Sequence, residues 1–332
     1  MHDFGVSPRH TVILDLPVSL DPLNIIKGKA IIHHDPKARS RFGIFPRNNP
    51  ARVRWFETEA CFIFHTAATW DEIPSLCPQD GVIEAVSMLA CRYKNANMLY
   101  SMGATDRGSG SSLVGDGSDS QLYYYRFALS DAHRNDITHQ WALSSIPFEM
   151  PISCSHQMPN FIYGCTSTDA MFGARSGEPM KIDCLVKIDV QALIKLGMER
   201  EPESLVGCVD ERSVNQILAS DESEDPIQIF QAPEGWYVQE PQFVPRKSAN
   251  GEDDGYLLTL VFDESQINDD GACLDHARSE LWIIEALDMK TVVAKIYLPQ
   301  RVPYGFHGNW FTQQQISDQR TCASTRTKQW NL

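Results

Sequence analysis

The sequence predicts an all-β fold, and three observations carry that prediction. Apolar and β-branched residues come in short runs closed by proline, glycine or polar clusters, the pattern of strands. Toward the C-terminus the runs are regular: Trp236 to Val244, Tyr256 to Asp263, Glu280 to Leu287 and Val292 to Leu298. Polar turns join them, among them Asp253-Asp254-Gly255 and Asp288-Met289-Lys290. No long amphipathic helix stands out. Many short strands at this spacing build a sandwich, a barrel or a propeller. Without a strict internal repeat, composition alone does not choose among them.

In chain order, Thr11 to Pro17 is a β-branched run ended by proline and reads as a strand. Asp21 to Gly28 reads as a turn or one helical turn. Arg41 to Phe45 and Val53 to Phe56 are strands separated by a Pro/Asn-rich loop. Cys61 to Phe64 is continuously apolar, as in a strand buried on both faces, and delivers His65 at its end. Gly81 to Tyr93, Leu122 to Leu129 and Leu185 to Val190 are further strands. Gly103 to Asp119, rich in Gly, Ser and Asp, has little to bury and is expected to be an exposed loop. Residues 199 to 226 are acidic and are expected to form a solvated surface insertion.

The 332 residues carry a formal charge of -14, which argues against a general nucleic-acid binder needing a basic footprint. A hydrophobic content of 42% suits one large globular domain, or two at most. The nine cysteines are odd in number and none forms a CxxC pair, so a zinc-thiolate site or disulfide framework is not expected. A reducing cytoplasm fits best. No apolar run approaches the ~20 residues of a membrane span, and His2 and Asp3 stand where a signal peptide would be basic and then apolar.

The stretch Arg301-Val-Pro-Tyr-Gly-Phe-His307-Gly-Asn-Trp310-Phe311 is the most distinctive in the chain. His307 sits between glycines and aromatic rings. Alone, that suits either a metal ligand or a buried histidine satisfied by a backbone carbonyl. Of the ten histidines, His2, His65 and His307 adjoin hydrophobic or aromatic strand segments. The others, His10 among them, sit in polar or loop contexts and most are expected to be exposed. Histidine-rich sites without thiolates suit iron, zinc or copper. Glu149 and Glu240 lie in apolar settings, where a carboxylate needs a partner: an imidazole N–H, an arginine or a backbone N–H.

The His307 stretch resembles the C-terminal histidine motif of the carotenoid cleavage oxygenase family. Other stretches agree in family order: Met1-His2-Asp3-Phe4; Trp55-Phe56 with Cys61-Phe-Ile-Phe-His65; and Glu240-Pro-Gln-Phe-Val-Pro245 with Glu252-Asp-Asp-Gly-Tyr-Leu-Leu-Thr-Leu260. The resemblance implies a seven-bladed β-propeller with Fe(II) on its axis, held by four histidines that three glutamates orient. It assigns His2, His65 and His307 to three ligand positions, and Glu149 and Glu240 to two of the orienting ones. The family's first ligand histidine lies upstream of the motif that here begins at Met1. Residues 1 to 332 are therefore expected to form a single, incomplete propeller domain without that ligand, the remaining glutamate and the early blades. Ala68 stands where the family has an asparagine and cannot make its side-chain hydrogen bonds.

The implied activity is O2-dependent cleavage of a C=C bond in a carotenoid, apocarotenoid or stilbene-type substrate, giving carbonyl products. The implied partners are that hydrophobic substrate and O2, with peripheral membrane contact to extract it. No general base or covalent nucleophile is needed. Two rival readings are a truncated, catalytically impaired remnant and a propeller hydrolase with another metal. On the first, His2 near the chain end is expected to be poorly tied down, iron binding weak and alkene cleavage slight.

Overall fold

The computed structural model describes residues 2–319 except 25, 27–30, 74–81, 97–119, 131–134, 154–156, 170–180, 201–206, 221, 223 and 305–306. The loop expected over 103–119, together with His133 and His156, lies outside the described residues.

Among the described residues the chain builds four consecutive sheets and a small two-stranded one, Val18–Leu20 with Ile32–His34, so the all-β reading describes the molecule. Gly5–Val6, His10–Asp15, Ser40–Pro46 and Arg54–Thr58 form the first as an antiparallel meander. The second runs Phe62–Glu72, Ala85–Tyr93, Gln121–Ala128 and Ile137–Ser144, with Cys208–Asp210 added parallel at its outer edge. Glu149–Ser153, Phe161–Thr166, Cys184–Asp189 and Ile227–Gln231 make the third. In the fourth, Trp236–Val238 and Gln242–Pro245 pair end to end with Gly255–Asp263, followed by Glu280–Glu285 and Val292–Tyr297. Successive meanders of this kind are the building blocks of propellers.

Period-two alternation explains the stacking. In Ala85–Tyr93, Val86, Met88 and Ala90 pack with Val12, Phe42 and Phe56 of the first sheet. Leu89 and Cys91 point the other way, into a cluster with Ile162, Val186 and Ile188 of the third. A further cluster joins Tyr163, Leu185 and Phe230 to Leu257, Trp282 and Ile284. Each such side chain contributes roughly 1.5–3 kcal/mol by leaving water. Lys187 also crosses between the third and fourth sheets. It is 4% exposed, and its Nζ donates to Asp253 at 2.7 Å and to the Ala286 carbonyl at 3.2 Å.

Several expectations are corrected. The strand expected to end at Val190 stops at Asp189, whose carboxylate accepts from the Ala192 N–H at 2.8 Å and caps a helix over Val190–Met198. That helix buries Val190, Leu193 and Ile194, and its Gly197 lies against Trp141 where a Cβ would come within 2.5 Å. The acidic segment is not merely a solvated insertion. It supplies the Cys208–Asp210 strand and a short helix, Val214–Leu218, that buries Val214 and Ile217. Arg212 neutralises its carboxylates, reaching Asp210 at 2.7 Å and Asp225 at 2.6 Å. His10, read as exposed, is buried against Asp71 at 2.6 Å.

Candidate metal centre

An early strand of each sheet, or the short segment leading into it, brings one residue to a common point. His2 precedes Gly5–Val6, His65 lies in Phe62–Glu72, Glu149 opens Glu149–Ser153 and Glu240 precedes Gln242–Pro245. His307 arrives from the segment after the last strand. One nitrogen from each of His2, His65 and His307 lies within 4.8 Å of the other two. Ring centroids are 5.1 Å apart for His2 and His65, 5.0 Å for His65 and His307, and 6.5 Å for His2 and His307.

Local irregularity aims these side chains. His65 falls inside its strand rather than at the end, where pairing shifts register between Ile63 and Thr66 and again between Thr66 and Ala68. Such bulges re-aim a side chain out of the pleat. Ala68 lies past the second shift, and the His65 contacts form without the asparagine. Glu149 also sits at a register shift, followed by Met150 in the left-handed region at φ 55°. Gly164 leaves room there, since a Cβ would come 2.6 Å from the Phe148 ring and 2.8 Å from the Glu149 carbonyl.

Each imidazole has its Nδ1 against an oxygen. His65 Nδ1 is 2.6 Å from Glu149 Oε2, His307 Nδ1 is 3.1 Å from Glu240 Oε1, and His2 Nδ1 is 3.2 Å from the Phe64 carbonyl. An acceptor at Nδ1 selects the tautomer that leaves Nε2 with a lone pair. His65 Nε2 is buried and has no hydrogen-bond partner among the described residues. Burial pushes the His65 pKa down, but the Glu149 hydrogen bond and charge, with Asp3 and Glu240 behind, outweigh it and leave it raised. An orphaned buried nitrogen beside two further imidazoles fits a divalent ion held at about 2.1 Å from each nitrogen. Glu240 Oε2 also accepts from the Gly308 N–H at 2.8 Å, fixing the His307 segment.

Two contributors escape a reading of the sequence. Asp3 Oδ2 accepts from the Thr66 N–H at 2.7 Å and from its hydroxyl at 2.8 Å. This ties His2 to the strand carrying His65, contrary to the expectation of a loose end. Its only signal is its place beside His2. Phe64 packs edge-on to His2 at 5.2 Å and stacks on His65 at 5.9 Å, giving the cluster an aromatic flank. Where the inner strands run on from the histidines, a cavity of about 650 Å³ opens, lined by Val6, Ala68, Ile152, Phe243 and Trp310 among others.

This arrangement defines an all-β protein in which three imidazole nitrogens stand close enough together to hold a metal ion. Residues 1–312 match the family model of RPE65, retinal pigment epithelial membrane protein. The carotenoid dioxygenase carX of Gibberella fujikuroi is 45% identical over 98% of this chain and 53% of its own length. Carotenoid 9,10(9',10')-cleavage dioxygenase of Crocus sativus is 28% identical over 97% of this chain and 50% of its own. Among solved structures, cobalt-substituted Synechocystis ACO aligns with a TM-score of 0.65 at 19% identity, covering 93% of this chain and 52% of that one. The chain belongs to the RPE65/carotenoid dioxygenase family. It spans about half the length of the curated relatives it matches.

Proposed function

We propose that this protein is a non-haem Fe(II) dioxygenase that cleaves a C=C bond of a carotenoid, apocarotenoid or stilbene-type substrate with O2, giving two carbonyl products. The observation that carries the reading is the convergence of His2, His65 and His307, each with Nδ1 against an oxygen. In this reading the four sheets are blades of a seven-bladed propeller, with the histidines on its axis. His2, His65 and His307 hold the ion through neutral imidazoles, and Fe(II) bound there supplies the redox chemistry with O2. Glu149 and Glu240 accept the Nδ1 protons of His65 and His307 and keep both rings aimed. Phe64 offers a conjugated substrate an aromatic face beside the cluster and keeps water from it. The free thiols of Cys61, Cys91, Cys165 and Cys184 suit a reducing cytoplasm.

The test is anaerobic reconstitution with Fe(II), followed by O2 and a panel of carotenoids, apocarotenals and hydroxystilbenes. The expected result is aldehyde product that requires both iron and O2 and disappears in His307→Ala. Iron binding with no product from any substrate would favour the impaired, non-enzymatic alternative.

Such substrates are lipophilic, and the surface around a separate two-stranded hairpin between the second and third strands of the first sheet suits their source. Leu20, Leu23 and Ile26 are 68%, 60% and 84% exposed, beside the hairpin of Val18–Leu20 with Ile32–His34. Exposed apolar clusters of this kind mark contact surfaces. We assign this one to peripheral membrane contact; among the described residues no helix is long and apolar enough to cross a membrane. The double variant Leu23→Ser/Ile26→Ser is expected to cut co-sedimentation with phosphatidylcholine vesicles several-fold. Undiminished co-sedimentation would exclude this surface.

A further inference from the structure

Beside the carboxylate that holds His65, three buried polar atoms come together without a hydrogen bond of good geometry. They are Glu149 Oε1, the Tyr93 hydroxyl and the Ser120 hydroxyl, in residues 2%, 1% and 0% exposed. Backbone register explains why they meet. Cys91 pairs with Leu122 and Arg92 with Gln121, so the same antiparallel ladder sets Tyr93 opposite Ser120. Alternation turns Cys91 and Tyr93 to one face, and Ser120 shares that face with Leu122. Leu122 and Cys91 pack there against the third sheet, whose first strand opens at Glu149. The Phe148 N–H donates to the Ser120 carbonyl at 2.8 Å, bringing the next residue, Glu149, beside it.

The electrostatics agree with a single shared pocket. Burial pushes the Tyr93 phenol and the Cys91 thiol well up, the charge and short-range polar contact of Glu149 add to both, and the short-range polar contact of the Ser120 hydroxyl opposes both. Buried carboxylate and hydroxyl oxygens are rarely left unpaired, and three at one place call for a common partner. A water molecule with two to four polar neighbours is the usual one. Its hydrogen bonds balance here: it accepts from Tyr93 and Ser120 and donates to Glu149 Oε1, with the Cys91 sulfur as a weak second acceptor.

We infer that a buried water held by Tyr93, Ser120 and Glu149 Oε1 locks the Glu149 carboxylate against His65, making Tyr93 and Ser120 positioning residues for that histidine. The inference rests on the reading of His65 as a metal ligand. Glu149 Oε2 already accepts from His65 Nδ1 at 2.6 Å and from the Met150 N–H at 3.0 Å. The terminal torsion of a glutamate is broad, so the carboxylate plane is fixed only when Oε1 is held as well.

The experiment compares wild type, Tyr93→Phe, Ser120→Ala, the double variant, Ser120→Thr and His65→Ala by Co(II) titration. It follows both affinity and the visible bands of the bound ion, alongside a high-resolution crystal structure of the wild type. The double variant is expected to bind Co(II) about 10-fold more weakly with shifted bands. Ser120→Thr should keep wild-type affinity, and the crystal should show a water within hydrogen-bond distance of all three oxygens. Folded Tyr93→Phe and Ser120→Ala variants with unchanged affinity and bands, while His65→Ala loses binding, would overturn the inference alone. Co(II) binding that survives His65→Ala, or is absent from wild type, would overturn the ligand reading and the inference with it. If the variants fail to fold, the crystal decides: no water at the three oxygens overturns the proposal.

Discussion

His65→Ala is expected to weaken divalent-metal binding by roughly 100-fold or more, and by more than His2→Ala or His307→Ala. The magnitude follows from what the ring does. It is the only one of the three in close contact with both others, at 5.1 and 5.0 Å. Its Nε2 is fully buried, so its lone pair faces no competing water. The His307 side chain is 49% exposed and its glutamate contact is longer, at 3.1 Å, so more of its donor capacity is already spent on solvent. Loss of an orienting carboxylate should matter less than loss of a ligand, typically 10–100-fold. Glu149→Gln is expected in that range, with Glu240→Gln below it. Titration with Co(II) or anaerobic Fe(II) reads all of these. A larger loss from His307→Ala than from His65→Ala would move the centre of the site away from His65.

Lys187→Ala is expected to destabilise the fold by about 3–5 kcal/mol, the usual consequence of removing one partner of a buried ion pair. Asp253 and the Ala286 carbonyl would lose their donor at a point where water does not easily replace it. The aliphatic stem also fills space, and the ammonium sits 4.4 Å from the centre of the Phe161 ring. Lys187→Met restores the volume but not the charge, so it should be less damaging than alanine. Equilibrium urea unfolding of the three proteins measures the difference. A shift below about 1 kcal/mol for the alanine variant would mean that Asp253 finds another partner or hydrates freely.

The sequence revealed strands where one run carried the whole signal, and hid them where pairing compensated for a poor run. Ser40–Pro46, Gln121–Ala128 and Gly255–Asp263 each carry a concentrated apolar or aromatic run and lie close to where expected. Ile137–Ser144 mixes polar and apolar residues and was not anticipated, because its burial is set by the neighbouring strand and helix. Glu149–Ser153 contains Pro151, which argues against a strand, yet it is an edge strand and Pro151 lies within a register shift that needs no N–H. The expected strand from Trp236 to Val244 is two, because Pro241 cannot donate to the ladder between them. At the site, His2, His65, His307, Glu149 and Glu240 could all be named from their local context and the resemblance. What they touch could not, since the Asp3–Thr66 clamp and the Tyr93–Ser120 pair depend on register between strands far apart in the chain.

The even distribution of the site along the chain bears on how such a protein can vary. Each sheet lends the residues that touch the histidine cluster from an early strand or the segment leading into it. Apart from Tyr93 and Ser120, which back Glu149, the later strands face other sheets or solvent. Length changes between outer strands therefore leave the geometry at His65 untouched, since lengthening a surface loop adds little to its closure entropy. The stretch from 16 to 39, which holds the Val18–Leu20/Ile32–His34 hairpin, and the segment that adds Cys208–Asp210 to the second sheet are places where the chain already departs from a plain meander. A single residue inserted between Phe62 and Ala68, by contrast, would reverse the facing of every side chain beyond it. Evolutionary drift in length should therefore collect at the rim of the molecule and be nearly absent from its inner strands.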